Sequence, residues 1–555
     1  MAAGYSRTRR AVRRARKLVI KATTLAGSGH PGGSLSMAEI VGTLLFGHMR
    51  HDPSNPLWDG RDRLVLSKGH AAPGLYSSLA VAGYFEESEI ATLRMLGSRL
   101  QGHPDLKCPG VEFCGGSLGI GLSFSVGLAL AARIDSADTR VYTVMGDGET
   151  DEGQVWEAAM SAAKYGLDGL TVIMDRNFVQ QDSYTEEVMP LDAGPAGTRV
   201  ADSRADASLW RTGQRWRAFG WNVIEVDGHR IEQVADALTR AAATRGAPTA
   251  IVARTVKGNG VEHMADNPAW HGKAPSPAIA PLVAEELDSH VMVAPSIIAG
   301  DMADLAGEVR RCEAAGADYV HLDVMDGEFV PATTFGASKV AELRPLTLLP
   351  FDVHLMIAEP VRRFREYAEA GADIVTVHAE ACGEAEFGEV HDSLRGAGVG
   401  VGLAINPGTD LPGWAARFAP TLDQVIVMSV EPGRSGQAYI EATHEKARSV
   451  RDALARAGFG GDIEADGGVN ASNAGACFDD GARVLVGGGA IMARDDARAA
   501  VAEISAAVRH ARRAAIIARA RGLGGDELVS SWIALHEDAG TRAELEAIAS
   551  GEGRP

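Results

Sequence analysis

The sequence predicts an α/β protein with an N-terminal doubly wound parallel sheet, a following (β/α)8 barrel and a short helical tail. Short apolar runs alternate with helical patterns from about residue 10 to residue 280, and a second alternation with eight candidate strands fills residues 291–507. Apolar strands between amphipathic helices are typical of parallel sheets covered on both faces. Eight strand–helix repeats in little more than two hundred residues indicate a closed barrel.

The first sheet is predicted from the apolar runs at 141–145, 170–174 and 250–253. Residues 191–209 are rich in Ala, Gly, Asp and Arg, and we expect a surface loop there. The composition changes near Pro275-Ser276-Pro277, so residues 281–290 are expected to link the first domain, residues 1–280, to the barrel.

The barrel strands are expected to end in succession at its carboxyl rim, near Ser296, Asp323, His354, His378, Ile405, Val430, Asp466 and Gly487. Residues 508–555 are rich in Ala, Arg and Glu and form the predicted helical tail, which shows no chemical motif.

The net charge of −19 over 555 residues argues against nucleic-acid binding and favours a soluble, freely diffusing protein. The cationic run Arg7–Lys17 is expected to be the solvated face of an N-terminal helix rather than a nucleic-acid or membrane arm. No signal peptide or long apolar run is present, so neither export nor membrane insertion is expected. Five cysteines without metal spacing favour a reduced cytoplasm.

A diphosphate–metal site is indicated by Gly146-Asp147-Gly148, which follows one apolar strand, and by Asn177, which follows the next. Their separation accommodates one crossover helix, so both oxygen ligands reach the carboxyl edge of neighbouring parallel strands. Hard cations prefer carboxylate and amide oxygens, and backbone N–H groups beside glycines can approach phosphates closely.

This half of the chain resembles the N-terminal, diphosphate-binding half of transketolase. The matching motifs are Ser28–Ser34 (SGHPGGS), Leu66–Ala71 (LSKGHA), Gly102–Pro104 (GHP), Gly146–Gly153 and Trp270–Pro275 (WHGKAP). The resemblance implies that Asp147, Asn177 and the Val179 carbonyl hold Mg²⁺. It implies thiamine diphosphate at Gly116, Leu118, Gly146 and Gly148, and catalytic roles for His30, His70, His103, Glu152 and His271.

Transketolases also need a pyrimidine-binding domain, and here an unrelated barrel begins where that domain should follow. The cofactor supplies the carbanion chemistry, but the protein must position and activate it. We therefore expect a separate polypeptide, resembling the C-terminal subunit of split transketolases, to complete the site. The resemblance also implies that the site lies between subunits, so homo-oligomers are expected.

The second half contains a candidate metal site. His321 and Asp323 are two residues apart on one strand and leave the same face, while His354 and Asp466 end other strands. Two histidines and two aspartates suit Zn²⁺, Fe²⁺, Mn²⁺ or Co²⁺. A base and an acid on opposite faces of a carbon next to a ketone could invert it, with Asp323 as base, Asp466 as acid and the roles exchanged in reverse.

This half resembles ribulose-phosphate 3-epimerase over nearly its whole length. The matching motifs are Ala294–Ser296 (APS), His321–Gly327 (HLDVMDG), Val353–Met356 (VHLM), Val427–Ser429 (VMS) and Asp466–Val469 (DGGV). The resemblance implies substrate contacts from Ser296 and a methionine collar. The collar consists of Met325, Met356 and Met428. The resemblance also implies phosphate binding on the backbone N–H groups of Gly436, Gly467, Gly468, Gly488 and Gly489.

The leading interpretation is a pentose-phosphate fusion protein whose barrel interconverts ribulose 5-phosphate and xylulose 5-phosphate, the latter being the donor for transketolase chemistry. Departures from the epimerase pattern at Glu328, Ala332, Gly489 and the loop Glu431–Gly436 leave a related ketose phosphate open. Arg434 in that loop could bind phosphate or face solvent. A third interpretation makes the first half a docking module that recruits the epimerase to a partner.

Overall fold

The computed structural model describes residues 4–192, 211–434 and 436–551. The chain divides into two compact units. One comprises Ala11–Asp288 with Ser530–Ala539, and the other comprises Met1–Arg10, Ser289–Val529 and Gly540–Pro555.

The first unit is built on a five-stranded, fully parallel sheet in the order β1-β2-β3-β5-β4. Its central strands are buried along their whole length because helices cover both faces, which confirms the predicted doubly wound sheet. The strands are β1 (Arg63–Leu66), β2 (Val141–Gly146), β3 (Leu170–Arg176), β4 (Asn222–Asp227) and β5 (Thr249–Arg254).

The helices of this part of the chain are α1 (Gly4–Ala26), α2 (Pro31–Ser36), α3 (Ala38–Thr43), α4 (Ala72–Ala82), α5 (Ile120–Ile134), α6 (Gly153–Lys164), α7 (Thr185–Val188), α8 (Thr212–Ala218), α9 (Ile231–Ala243) and α10 (Ala280–Asp288). The predicted loop 191–209 falls almost wholly on residues 193–210, which lie outside the described residues.

The second unit contains an eight-stranded parallel sheet in which β6 pairs with β13, and a bridge between Ser296 and His321 joins the β6 and β7 edges. This confirms the predicted barrel. The strands are β6 (Met292–Pro295), β7 (Val320–Met325), β8 (Phe351–Met356), β9 (Ile374–His378), β10 (Gly400–Ile405), β11 (Gln424–Met428), β12 (Asp462–Asp466) and β13 (Ala482–Gly487).

The helices that follow are α11 (Leu305–Ala315), α12 (Ala337–Leu343), α13 (Pro360–Glu369), α14 (Glu384–Ala397), α15 (Ala415–Phe418), α16 (Thr443–Arg456), α17 (Ala474–Asp479), α18 (Gly489–Met492), α19 (Ala497–Ile533) and α20 (Ala539–Ser550). Helix α19 is broken at Gly524 and Gly525, the latter with a φ of 64°. Among the described helices, none has the length and apolar character needed to cross a bilayer.

The cationic run in α1 is less solvated than the sequence indicates. Arg10 forms an ion pair with Asp423 in the barrel unit, where Arg9 also donates a hydrogen bond to the Tyr319 hydroxyl. In the first unit, Arg16 is buried and donates to the Glu39 carboxylate. The expectation of a solvated face is wrong for these arginines because each finds an acceptor in its unit.

The division of the chain also differs from the predicted boundaries at two places. Residues 281–288, expected as linker, belong to α10, whose Leu282 and Val283 are buried in the first unit. Part of the predicted tail returns to that same unit, because the ring of Trp532 lies 4.8 Å from that of His263. Trp532 is 2% exposed, so this segment contributes to the core of the unit.

Candidate active sites

A cavity of about 320 Å³ opens where β2 and β3 end in the first unit. The structure brings nearly all the predicted thiamine-site residues into its lining, namely His30, His70, His103, Gly116, Leu118, Gly146, Asp147, Gly148, Asn177, Val179 and His271. Glu152 instead lies exposed at the start of α6, outside that lining. Gln181 is also part of the wall.

The three predicted magnesium ligands lie in one wall of this cavity. The Asp147 carboxylate accepts hydrogen bonds from Gly148 N at 2.8 Å and Phe178 N at 2.6 Å. The Asn177 amide oxygen accepts from Val179 N at 3.1 Å, which turns the chain after β3 back toward the site. A carboxylate, an amide oxygen and a carbonyl form the all-oxygen donor set that Mg²⁺ prefers, so these residues fit the ion.

Arg176 fixes the position of Asp147, a role not predicted from the sequence. Its guanidinium is fully buried, donates to Asp147 Oδ2 at 2.8 Å and to Asp192 Oδ2 at 3.2 Å, and lies 4.0 Å from the Phe178 ring. Burial lowers the pKa of Arg176, but the charges of Asp147, Asp192 and Glu186 outweigh it and raise that pKa. The Asp147 carboxylate is therefore held in one orientation by Arg176 and two backbone N–H groups.

Two buried lysines that were not predicted as site residues also face the cavity. Lys68 pairs with Asp175 and donates to the Gly33 carbonyl, and Lys257 Nζ lies 2.9 Å from the Val179 carbonyl and 2.7 Å from His271 Nδ1. Burial, with the nearby Lys68 charge, lowers the pKa of Lys257 to about 7. Two cations in one small cavity suit a polyanion such as a diphosphate.

Three histidines form a cluster at the same cavity. The ring centroids of His30, His70 and His271 lie 5.0 to 5.6 Å apart. Burial, followed by neighbouring cations, lowers the pKa of His30 to about 4 and that of His271 to about 3. At neutral pH these rings are uncharged, so each can donate one hydrogen bond and accept another from a polar substrate.

A second cavity, of about 280 Å³, opens at the carboxyl end of the barrel strands. All the predicted substrate residues line it: Ser296, Met325, Met356, Met428, Gly436, Gly467, Gly468, Gly488 and Gly489. Asp323 and Asp466 form part of its floor. Among the departures from the epimerase pattern, Gly489 and Arg434 lie in the wall, whereas Glu328 and Ala332 lie outside it.

The four predicted metal ligands converge in the barrel. One ligand atom from each of His321, Asp323, His354 and Asp466 lies within 4.8 Å of all the others, and all four residues are buried. His321 Nδ1 is 2.7 Å from Asp352 Oδ2, so Nε2 is the nitrogen of this ring that faces the cluster. Among the described residues, buried His321 Nε2 has no hydrogen-bond partner. An orphaned nitrogen among carboxylates fits a divalent cation.

The charges around this cluster divide its carboxyl groups into two kinds. Burial raises the pKa of Asp323, but His321 and His354 outweigh burial and hold that pKa well below its usual range. Burial and the neighbouring Asp352 charge raise the pKa of Glu464 well above its usual range. Asp323 is therefore ionised, while Glu464 is a neutral acid beneath the cluster.

The end of the cavity where phosphate is predicted to bind depends on two glycines after β12. Gly467 and Gly468 have φ angles of 116° and 67°. A Cβ atom on Gly467 would lie 2.4 Å from a Val430 methyl group, and one on Gly468 would lie 2.7 Å from Tyr439 N. Only glycine can place backbone N–H groups at this point of the cavity wall without strain.

Comparisons with known proteins divide the chain as the structure does. Residues 7–288 match the family model for the transketolase thiamine diphosphate binding domain, and residues 292–492 match that for the ribulose-phosphate 3 epimerase family. The 6-deoxy-6-sulfo-D-fructose transketolase subunit SqwG of Clostridium sp. (strain MSTE9) is 42% identical over 257 residues, covering 46% of this chain and 87% of that protein.

Two further relatives match the same half of the chain. One of the apulose-4-phosphate transketolase subunits of Phocaeicola vulgatus is 39% identical over 261 residues, covering 47% of this chain and 86% of that protein. The transketolase of Homo sapiens is 40% identical over 281 residues, covering 50% of this chain but only 42% of its own length. The matched half therefore corresponds to nearly a whole subunit in the first two relatives and to less than half of the human protein.

Proposed function

Because the chain belongs to the transketolase family through its thiamine diphosphate binding domain and carries a ribulose-phosphate 3-epimerase family domain after it, we propose that it is a bifunctional pentose-phosphate enzyme. Its barrel interconverts ribulose 5-phosphate and xylulose 5-phosphate. Its first unit forms half of a transketolase site that uses xylulose 5-phosphate as donor. The observation that carries the epimerase proposal is the buried His321, Asp323, His354 and Asp466 cluster at the floor of the barrel cavity.

The barrel residues divide the reaction between two carboxylates. Asp323 takes the proton from the carbon next to the ketone on one face, and Asp466 returns a proton on the other, with the roles exchanged in the reverse direction. The divalent metal, when bound, supplies positive charge that stabilises the enediolate. Ser296 donates a hydrogen bond to Asp323 Oδ2 at 2.5 Å, which orients the base. Met325, Met356 and Met428 exclude water from the reacting carbon.

Separate Asp323→Asn and Asp466→Asn variants test this division of labour. Each should lower epimerisation of ribulose 5-phosphate by about 10²- to 10⁴-fold. In deuterated water, NMR should show that each variant still exchanges the proton at the reacting carbon of one epimer without inverting it. The exposed Glu389→Gln change is the matched control. Exchange into both epimers by either variant would contradict the assignment of one carboxylate to each face.

The thiamine site is proposed to need a partner subunit that binds the pyrimidine ring. The relatives that this half covers almost completely are named as transketolase subunits, which supports the proposal. Helix α5 begins next to the cavity and leaves the apolar side chains of Ile120 and Phe124 more than a third exposed. Such a surface beside a site suits a protein interface.

Incubation of the full chain with ribulose 5-phosphate, ribose 5-phosphate, thiamine diphosphate and Mg²⁺ tests the partner requirement. Mass-resolved chromatography should show xylulose 5-phosphate without sedoheptulose 7-phosphate. Adding a pyrimidine-binding subunit should produce the heptulose, and Phe124→Asp should abolish only this second product. Heptulose formation by the chain alone would show that the first unit needs no separate subunit.

A related ketose phosphate is the second candidate substrate of the barrel. Its support is that Arg434 and Gly489, which depart from the epimerase pattern, both line the cavity. A panel of ketose phosphates decides between the substrates. A docking role for the first unit is less well supported, because a docking module has no need of two buried lysines and three clustered histidines. Binding of thiamine diphosphate with Mg²⁺ would support a catalytic role for the first unit, and absence of binding would support a docking role.

A further inference from the structure

A histidine and a glutamate that were not predicted as site residues extend the barrel cluster outward from His354. His378 is the last residue of β9 and is fully buried. Its Nε2 lies 2.8 Å from His354 Nε2, and the two rings stack with centroids 4.9 Å apart. On its other side, His378 Nδ1 lies 3.2 Å from Glu380 Oε2.

The order of these contacts determines where the protons lie. A neutral imidazole has one N–H and one lone pair, so a contact between two ring nitrogens needs a donor on one ring and a lone pair on the other. The ionised Glu380 carboxylate can only accept, so His378 carries its proton on Nδ1. The lone pair of His378 Nε2 then accepts from His354 Nε2–H.

With Nε2 protonated, Nδ1 is the nitrogen of His354 whose proton a divalent cation would replace. That atom lies 3.3 Å from Asp323 Oδ1 and 3.3 Å from Asp466 Oδ2, and so faces the cluster. His321 is arranged in the opposite sense, because its Nδ1 is occupied by Asp352 and its Nε2 faces the same point. The two histidines therefore present different nitrogens to the cluster. A carboxylate determines which one in each case: Asp352 directly for His321, and Glu380 through the His378 ring for His354.

We propose that His378 and Glu380 are positioning residues that fix the tautomer of His354, so that its Nδ1 is available to a divalent cation. Glu380 is itself held in place, since its Oε1 accepts a hydrogen bond from Asn406 N at 2.8 Å. The proposal rests on the proposed function in one respect, namely that the His321, Asp323, His354 and Asp466 cluster binds a metal ion. It does not depend on which sugar phosphate the barrel converts.

One substitution can reverse the direction of donation in the hydrogen bonds that join His354, His378 and Glu380. In Glu380→Gln, the new amide N–H can donate to His378 Nδ1, which moves the His378 proton to Nε2. His354 Nε2 must then accept, and the remaining proton lies on Nδ1, where it blocks the cation. His378→Leu breaks this chain of hydrogen bonds, whereas His378→Gln restores an oxygen that can accept from His354 Nε2–H.

The test is a Co²⁺ titration of the full chain after removal of metals with a chelator, followed by visible absorption. Glu380→Gln and His378→Leu should weaken Co²⁺ binding by about 10- to 100-fold, and His378→Gln should recover part of the loss. The control Glu389→Gln removes an exposed carboxylate from α14 and should leave the affinity unchanged. Imidazole ¹⁵N spectra of the zinc-loaded wild type should show His354 protonated at Nε2 and bound to zinc through Nδ1.

Wild-type Co²⁺ affinity in both Glu380→Gln and His378→Leu would overturn the proposal, as would zinc bound through His354 Nε2 in the wild type. Should His378→Leu fail to fold, Glu380→Gln and the ¹⁵N spectra still decide. Turnover of ribulose 5-phosphate by the cobalt-loaded wild type is measured separately. A wild type that binds Co²⁺ but does not epimerise this sugar contradicts the proposed function and leaves the tautomer assignment standing.

Discussion

Lys257 is the single residue on which we predict that binding of an anionic cofactor depends. It is buried beside Lys68, and burial lowers its pKa to about 7. We expect Lys257→Met to weaken binding of thiamine diphosphate with Mg²⁺ by about 10- to 100-fold, since a hydrogen bond from a charged donor contributes about 1.5–3 kcal/mol. Calorimetric titration measures the change, with the exposed Lys107→Met as control.

Unfolding of the Lys257→Met variant would also weaken cofactor binding, so the thermal stability of the cofactor-free protein must be measured beside the affinity. Methionine removes a charge from a buried, like-charged pair, so the thermal stability of the cofactor-free protein should not fall. Unchanged cofactor affinity would show that the lysine pair does not contact the diphosphate.

His263 is a buried base whose effect on stability has a defined sign. Neither of its ring nitrogens has a hydrogen-bond partner among the described residues, and burial lowers its pKa from 6.5 to about 3. Below pH 6.5 the unfolded chain gains a proton that the folded state does not take up until about pH 3. The contribution of His263 is therefore fully present above pH 6.5 and is lost as the pH falls.

The comparison of wild type with His263→Phe isolates this contribution. Between about pH 7 and pH 5, the free energy of unfolding of the first unit should fall by about 2 kcal/mol more in the wild type than in the variant. Urea unfolding followed by tryptophan fluorescence measures the difference. Parallel pH profiles would show that His263 is protonated in the folded state.

The sequence predicts single site residues well where their position follows from chain geometry. Asp323 lies two residues after His321 on a strand, so the period of two predicts a shared face, and the structure brings the two together. Lys257, His378 and Glu380 have no such local signal. Their importance comes from partners on other strands, such as His354 across the β8–β9 pair, and only the three-dimensional structure identifies those partners.

Among the secondary structure elements, the end of α19 departs most from what its sequence indicates. The Ala- and Arg-rich pattern predicts a tail without chemistry, yet Trp532 lies between His263 and His536 in the first unit. The strands were predictable because apolar runs recur at regular spacing. The docking of Trp532 was not, because the residues it packs against lie far away along the chain.

Trp532→Ala should therefore destabilise the first unit rather than the barrel. Replacing a buried tryptophan by alanine costs about 3–5 kcal/mol. We expect a lower unfolding temperature for the thiamine-binding unit and weaker binding of thiamine diphosphate, with epimerisation unchanged. Calorimetry and an epimerase assay measure the two effects. The control is Trp58→Ala, which removes a side chain that is 42% exposed. Loss of epimerase activity in Trp532→Ala would contradict this assignment.

At the scale of the whole molecule, the two sites should differ in metal preference. The barrel offers two nitrogens and two carboxylates, which favour Zn²⁺, Mn²⁺, Fe²⁺ or Co²⁺, whereas the first unit offers only oxygens. After treatment with a chelator, Mg²⁺ alone should restore thiamine diphosphate binding but not epimerisation. Co²⁺ should restore epimerisation. Recovery of both functions with Mg²⁺ alone would contradict the assignment of a softer metal to the barrel.

The composition of the two units has a consequence for synthesis of the protein on the ribosome. Residues 530–539 complete the first unit but are translated more than two hundred residues after Asp288. At typical elongation rates this delay is about 10 to 50 s. During that time the nascent first unit lacks Trp532, and its His263 surface is uncovered. The N-terminal unit therefore cannot finish folding before the barrel strands have been synthesised.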